Sequence, residues 1–177
     1  MRAARGSAAR MVRIGGMSRA QLLRELQENG VQLNPAAEEL FSDSRFVTSR
    51  TSHTVETIEV SVAELGYSQG ATYAEITKGA LGLGLSECPL ELGPHLRLQF
   101  LDQPEGFLAH PPSQHRAPPG SVTVASRPLD EDDQTPKGFY LRRIRGALWL
   151  RAYRSGPEHI WSPEDRLVFL RPGNATV

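Results

Sequence analysis

The chain has 177 residues, of which 39% are hydrophobic, and its 20 Lys and Arg residues balance its 20 Asp and Glu residues. This length and composition are typical of one globular domain, and the zero formal charge argues against a protein that coats nucleic acid with a uniformly basic surface. The single cysteine, Cys88, excludes an internal disulfide framework and a zinc site built from several thiolates.

The first sixteen residues are predicted to form a disordered basic tail. They contain Arg2, Arg5, Arg10 and Arg13, no acidic residue and little hydrophobic periodicity. Short basic termini are usually unstructured. A single domain is therefore predicted over residues 17–170, followed by a loose C-terminus at residues 171–177.

Helix-start signals predict two short helices early in the domain and one central helix. Ser18 and Gln21 have the spacing of a capping box, and Asn34 followed by proline is a typical helix start. Thr72 and Glu75 repeat the capping-box spacing and predict the central helix.

The remaining signals favour β-structure. Residues 55–62 are rich in β-branched side chains, and apolar residues alternate with polar ones over residues 96–100, which predicts a strand in each place. Short strands are also predicted at residues 122–124 and 167–170. Four prolines and no acid mark residues 110–120 as a loop insert. Helices early and antiparallel strands late define an α+β fold, with short N-terminal helices and a central helix packed on a mainly antiparallel sheet.

The clearest local prediction is a β-hairpin formed by residues 139–144 and 147–153 around the turn Arg145-Gly146. Alternation then separates the side chains into two faces. The face predicted to join the core carries Phe139, Leu141, Leu148, Leu150 and Ala152, with Arg143 near the tip. The opposite face, called here the hairpin face, carries Tyr140, Arg142, Ile144, Trp149, Arg151 and Tyr153.

The hairpin face is the sharpest functional signal in the sequence. Residues 137–154 hold six basic residues and no acidic one. Guanidinium groups bind phosphate or carboxylate in a bidentate manner, and aromatic rings stack on bases. The predicted ligand-binding residues are Tyr140, Arg142, Trp149, Arg151 and Tyr153. The ligand is predicted to be an anionic molecule, single-stranded nucleic acid or an acidic protein partner. The same pattern also fits a purely structural role, in which arginine and aromatic side chains stabilise the sheet through cross-strand packing.

Two alternatives remain open at this level. A small hydrolase or transferase would use His95, Asp102, Glu91 and His159, although no metal-binding spacing such as HExxH connects the histidines. A structural or assembly role is the other. The sequence predicts no metal, no cofactor and no membrane association, and a soluble cytoplasmic location is expected.

Two stretches carry a family resemblance. One comprises residues 70–76, 88–99 (CPLELGPHLRLQ) and 102–106 (DQPEG); the other comprises residues 138–144 (GFYLRRI), 148–153 (LWLRAY) and 161–166 (WSPEDR). Together they resemble a group of small uncharacterised bacterial proteins over most of residues 17–170. That group has no established activity, so the resemblance implies one domain and assigns no catalytic residue.

Overall fold

The computed structural model describes residues 8–106 and 118–173, and within them the chain has the predicted α+β fold. The helices are α1 (Arg19–Glu28), α2 (Pro35–Ser42), α3 (Tyr73–Gly82) and α4 (Leu92–Gln99), with a 3-10 turn at Ala63–Leu65. The strands are β1 (Ala8–Ile14), β2 (Gln32–Leu33), β3 (His53–Ser61), β4 (Ala71–Thr72), β5 (Val122–Val124), β6 (Gly138–Ile144), β7 (Ala147–Tyr153), β8 (Ile160–Trp161) and β9 (Arg166–Arg171).

Seven of these strands form one sheet in the order β1-β3-β9-β5-β6-β7-β2. Among the strand pairs that the described residues form in this sheet, β5–β9 and β2–β7 alone are parallel. Strands β4 and β8 form a separate antiparallel pair. Apolar side chains of α1, α2 and α4 form one core with the sheet, and those of α3, β4 and β8 form a second core with it. Alternate residues of β9 enter different cores, Val168 the first and Leu167 and Phe169 the second, so the two cores lie on opposite faces of the sheet.

The three predicted helix starts are confirmed. Ser18 Oγ accepts from the Gln21 amide at 3.2 Å while Gln21 Oε1 accepts from the Ser18 amide at 2.8 Å. Thr72 and Glu75 form the same reciprocal pair at the start of α3. Each cap satisfies amides that a helix start otherwise leaves without partners.

The predicted disorder of residues 1–16 is wrong for residues 8–14, which form β1 at the edge of the sheet. β1 pairs with β3 along seven residues, from Ala8 opposite Glu59 to Ile14 opposite His53. Val12 and Ile14 are buried in the first core, so this short segment gains its order from the sheet beneath it. Residues 1–7 lie outside the described part of the chain.

The strand predicted over residues 96–100 is also wrong, because this segment lies mainly in α4. Leu92 and Leu96 are four residues apart and are both buried against the sheet, which is helical spacing. Pro94 is tolerated in the first turn, where its missing N–H has no helical partner to lose. The incorrect strand prediction came from the alternation of Leu96, Leu98 and Phe100 with polar residues, which is typical of a half-buried strand.

The predicted final strand extends slightly beyond its predicted end. β9 runs through Arg171, one residue into the predicted loose C-terminus, and residues 174–177 lie outside the described part. Residues 110–117 of the predicted loop insert also lie outside the described part of the chain.

Two amide side chains complete the hydrogen bonding at the margins of the sheet. Asn34 pairs with both backbone groups of Ala152 at 3.0 Å, beyond the end of β2. Gln99 pairs in the same way with both backbone groups of Arg13, at 2.9 and 2.7 Å. Each amide takes the place that a further strand residue would occupy, so these backbone groups are unavailable to another chain.

We expect Asn34→Ala to lower the free energy of unfolding by about 2 kcal/mol. The substitution removes both bonds to Ala152 and the bond from the Ala37 amide that starts α2. Urea unfolding measures the loss. Asn29→Ala is the control: its side chain makes one exposed bond at the end of α1, and we expect a change below about 0.5 kcal/mol. Equal losses in the two variants would contradict this role of Asn34.

Candidate anion-binding surface

The hairpin forms with the predicted turn and register. Arg145 and Gly146 have φ angles of +51° and +76°, as a two-residue turn with both central residues in the left-handed region requires. Arg142 lies opposite Trp149, and Tyr140 lies opposite Arg151. The predicted core face is confirmed, since Phe139, Leu141, Leu150 and Ala152 are buried and Leu148 packs against the same core.

Arginine and aromatic side chains alternate on the hairpin face in both directions. Arg142 and Trp149 form one cross-strand pair, and Tyr140 and Arg151 form the next, with the order of the two residue types reversed. Each guanidinium therefore has an aromatic neighbour along its own strand and across the hairpin.

Arg151 is held in place by both of its aromatic neighbours. Its Nε donates to Tyr140 Oη at 2.8 Å. Its guanidinium carbon lies 5.0 Å from the centre of the Trp149 ring and 6.0 Å from that of Tyr140. These contacts orient the positive charge without neutralising it.

Arg142 and Arg151 have no carboxylate partner among the residues that the structure describes. Two other arginines of the β6–β7 region are paired, Arg143 with Glu105 and Arg154 with Glu39. Arg142 is half-buried, and its buried Nε lacks a hydrogen-bond acceptor. Burial lowers the pKa of Arg142, and repulsion from Arg151 adds to the lowering while Tyr140 opposes it.

Tyr153 joins the hairpin face to the second core. Its ring centre lies 6.4 Å from that of Tyr140 and 5.5 Å from that of Trp161, which it meets edge to face. Burial raises the pKa of Tyr153. Tyr153, a predicted ligand-binding residue, thus lies at the margin of the hairpin face, where its ring packs against both Tyr140 and the second core.

The hairpin face is neither fully exposed nor covered, because all six of its side chains are half-buried. The second core includes β8 and α3, and on the hairpin it reaches Tyr153. Farther along the hairpin, the four alternating side chains retain access to solvent.

A buried arginine that the sequence did not reveal as functional lies on α4 behind the hairpin. The side chain of Arg97 is completely buried. Its Nη1 donates to Gln103 Oε1 at 2.6 Å and to the carbonyls of Trp149 and Arg142 at 3.3 and 3.4 Å, and its Nη2 donates to the carbonyl of Phe100. Two of these carbonyls belong to residues of the hairpin face, so Arg97 fixes the backbone beneath that face.

Arg97 also adds to the positive potential of the site. Its described partners are neutral oxygens, and burial followed by repulsion from Arg143 lowers its pKa to about 10. It therefore stays charged at neutral pH. The incorrect prediction of a strand over residues 96–100 assigned Arg97 to the polar face of that strand. The sequence signal that points to its burial is an arginine within an apolar stripe of helical spacing.

We expect Arg97→Met to lower the free energy of unfolding by about 3 kcal/mol, because two buried and two partly buried carbonyl oxygens lose the Arg97 guanidinium as a donor. Denaturant unfolding of the variant measures this loss. Arg50→Met, which removes an exposed arginine, provides the control and is expected to change stability by less than about 0.5 kcal/mol. A loss as small as that of the control would show that these bonds contribute little.

Of the four candidate catalytic residues, the structure brings two together. His95 and Glu91 lie one turn apart on α4, with His95 Nε2 3.8 Å from Glu91 Oε2, and both side chains are almost fully buried. His95 Nε2 accepts from the Gly15 amide at 3.2 Å, and Glu91 accepts from the amide and hydroxyl of Ser49. These bonds anchor the turn after β1 and the segment before β3.

The other two candidates have different neighbours. Asp102 is strongly exposed and lies 3.8 Å from Arg10. The ring of His159 packs edge to face on Trp161 in the second core. Among the described residues, no group of three or more His, Cys, Asp and Glu side chains has a metal-binding arrangement. Cys88 is buried, and burial raises the pKa of its thiol, the opposite of what a nucleophile needs.

The buried histidine predicts a pH-dependent stability. Burial lowers the pKa of His95 below its usual value, and repulsion from His53 adds to the lowering while Glu91 opposes it. The folded state therefore binds fewer protons than the unfolded state, and stability falls as pH decreases through the unfolded pKa of about 6.5. We expect His95→Gln, which keeps an acceptor for the Gly15 amide, to show a shallower decline between about pH 7 and pH 5. Urea unfolding at several pH values measures both slopes; parallel curves would exclude His95 as the source.

Comparisons with known proteins add no assignment to this geometry. The chain matches no protein-family model, no curated protein and no solved structure at a significant level. Among the described residues, no helix has the length and apolar character needed to cross a membrane. The resemblance to small bacterial proteins stays a prediction.

Proposed function

We propose that this protein is a binding module whose hairpin face engages an anionic ligand, and that the ligand is single-stranded nucleic acid. The observation that carries the proposal is the presence of two arginines, Arg142 and Arg151, without carboxylate partners among the described residues, of which Arg151 is oriented by its aromatic neighbours. Each lies beside an aromatic ring.

This combination suits a polymer with alternating charged and flat groups. A guanidinium contacts a phosphate by parallel hydrogen bonds, and an aromatic ring accepts a base by stacking. Positions two residues apart on one strand are separated by about 6.6 Å, and diagonal neighbours on a hairpin by about 7–8 Å. Arg142 and Arg151 are such diagonal neighbours, and this spacing would suit contacts with successive phosphates of an extended strand.

The rest of the molecule favours local binding over general binding to polyanions. The chain has no net charge, and many of its arginines are already paired with acids. Binding is therefore expected to depend on the hairpin face, with a salt dependence set by few phosphate contacts.

The two alternative functions have less support in the geometry. The residues of the hydrolase or transferase alternative lie in separate environments, and the Glu91–His95 pair is enclosed by protein. For an assembly role a large apolar patch is needed, whereas the exposed large apolar side chains of the described residues are spread over several elements. Met11, Val47, Leu101 and Ile160 are examples.

The test is fluorescence anisotropy with a labelled single-stranded oligonucleotide, titrated at several salt concentrations. We expect Arg142→Ala/Arg151→Ala to reduce affinity at least tenfold at low salt. The slope of log K against log salt should become shallower by about 1.4, since each phosphate contact in single-stranded nucleic acid contributes about 0.7.

The matched control is Arg50→Ala/Arg171→Ala, which removes two exposed arginines from other surfaces. It should retain the parent affinity and slope. If the hairpin variant binds like the parent, or if the parent itself does not bind the oligonucleotide at low salt, the proposal is wrong.

A further inference from the structure

The two edges of the seven-stranded sheet differ in how much backbone they leave open. At one edge, β2 has only two residues, and Asn34 pairs with Ala152 beyond its end. At the other edge, β1 pairs with β3 along seven consecutive residues without a bulge, and it contains no proline. A long, regular edge strand is a template for another chain, because its outward amides and carbonyls have no strand partner.

The bonds that Gln99 makes show which residues of β1 point outward. Its side chain pairs with the amide and the carbonyl of Arg13, which therefore face away from β3. The bonding direction alternates along an antiparallel strand, so the backbone groups of Ala9 and Met11 face away from β3 as well. Within residues 8–106 and 118–173, these four outward groups have no hydrogen-bond partner.

The side chains at these two positions are accessible too. Ala9 is exposed, and Met11 is 63% exposed, which is unusual for a large apolar side chain on a paired strand. A flexible methionine side chain adapts to many apolar neighbours, and a residue of an added strand would lie directly beside it. The edge therefore offers four backbone hydrogen bonds and one apolar contact to a short extended segment.

A second copy of this chain fits the open edge poorly. Antiparallel pairing that uses both open residues places Ala9 of each copy opposite Met11 of the other, and Arg10 opposite the second Arg10. Like charges directly opposite each other destabilise a strand pair. A shift of the register in one direction requires the backbone groups of Arg13, which Gln99 occupies. A shift in the other direction leaves Met11 outside the pairing of the described residues.

The arginines of β1 instead favour an added strand that carries a carboxylate. The Arg10 guanidinium is fixed over the Phe100 ring, 4.0 Å from its centre. Its ion pair with Asp102, at 3.8 Å, is weak, because the Asp102 side chain is 86% exposed. Arg13 donates to the Ser52 hydroxyl and has no carboxylate partner in the described part of the chain. Two guanidinium groups thus lie near one solvated carboxylate.

The acidic residues of β3 that lie beside β1 are already paired within the sheet. Glu59 accepts from Arg166 at 2.5 Å, and Glu56 accepts from Arg171 at 3.0 Å. Both partners belong to β9, on the side of β3 away from the open edge. The positive charge of β1 is therefore not cancelled by its neighbouring strand.

We propose that β1 accepts an extended acidic segment of another polypeptide as an additional strand, with a carboxylate opposite Arg10. Backbone hydrogen bonds at Ala9 and Met11 provide the attachment, and the cross-strand pair with Arg10 selects an acidic sequence. Strands β3, β9 and β5 separate this edge from the hairpin, so the proposal does not rest on the function of the hairpin face.

The probe is the capped peptide acetyl-Thr-Val-Glu-Val-Thr-amide, whose central glutamate lies opposite Arg10 when its valines pair with Ala9 and Met11. Two matched peptides serve as controls. One carries N-methyl groups on both valines, which removes the amide donors, and the other has glutamine in place of glutamate. Binding is followed through the backbone amide signals of the ¹⁵N-labelled full-length protein.

We expect the acidic peptide to shift the signals of Ala9 and Met11 and to leave those of the hairpin unchanged. The N-methylated peptide should bind at least tenfold more weakly, because the backbone hydrogen bonds are lost. The glutamine peptide should bind about threefold more weakly at low salt, because the cross-strand ion pair is lost.

Arg10→Gln should bind the glutamate and glutamine peptides equally well, while the control Arg24→Gln, which removes an exposed arginine from α1, should keep the preference for glutamate. Absence of binding, or equal binding of the N-methylated peptide, would overturn the proposal. A glutamate preference that survives in Arg10→Gln would overturn it as well. Signals of Ala9 and Met11 that change with protein concentration alone would identify a second copy as the occupant and reject an acidic partner. Oligonucleotide binding is measured separately, so failure here leaves the hairpin proposal intact.

Discussion

The burial of one guanidinium group organises the half of the molecule that carries the candidate binding surface. Arg97 is enclosed between α4 and the hairpin, where an isolated charge is costly unless its hydrogen bonds are satisfied. Four carbonyl oxygens, from Gln103, Phe100, Arg142 and Trp149, converge on its two terminal nitrogens, and its buried Nε alone lacks an acceptor among the described residues. This requirement fixes the end of α4, the segment that follows it and the two hairpin strands relative to one another.

The same network reaches further into the sheet through Gln103. Its amide nitrogen donates to the carbonyls of Leu141 and Gly120, on β6 and at the start of the segment leading to β5. Asn34 and Gln99 also bind backbone groups at the sheet margins, where each side-chain amide pairs with the N–H and the carbonyl of one residue. Side-chain amides thus complete backbone hydrogen bonding where regular strand pairing ends, which limits pairing with other chains.

Tyr153 connects the hairpin face with the second core. On one side its ring packs against Tyr140 of the hairpin face, and on the other it meets Trp161 edge to face. The zero net charge of the chain argues against a general polyanion binder, and Arg142 and Arg151 provide a local cationic surface on this otherwise balanced chain.

The sequence by itself determined the elements whose signals are local. The capping boxes at Ser18 and Thr72 and the turn at Arg145-Gly146 depend on a few adjacent residues, and period-two alternation then assigned every hairpin side chain to its face. Tertiary structure decided the rest. β1 is ordered because Val12 and Ile14 gain a core only when β3 lies alongside, and α4 prevails over the strand pattern because Leu92 and Leu96 face the sheet together. Contacts between distant parts of the chain decide the burial of Arg97 and the different surroundings of His95, Asp102 and His159. They also decide that Arg142 and Arg151 have no carboxylate partner within residues 8–106 and 118–173. Local sequence patterns carry no information on such contacts, because burial and charge pairing are properties of the assembled fold.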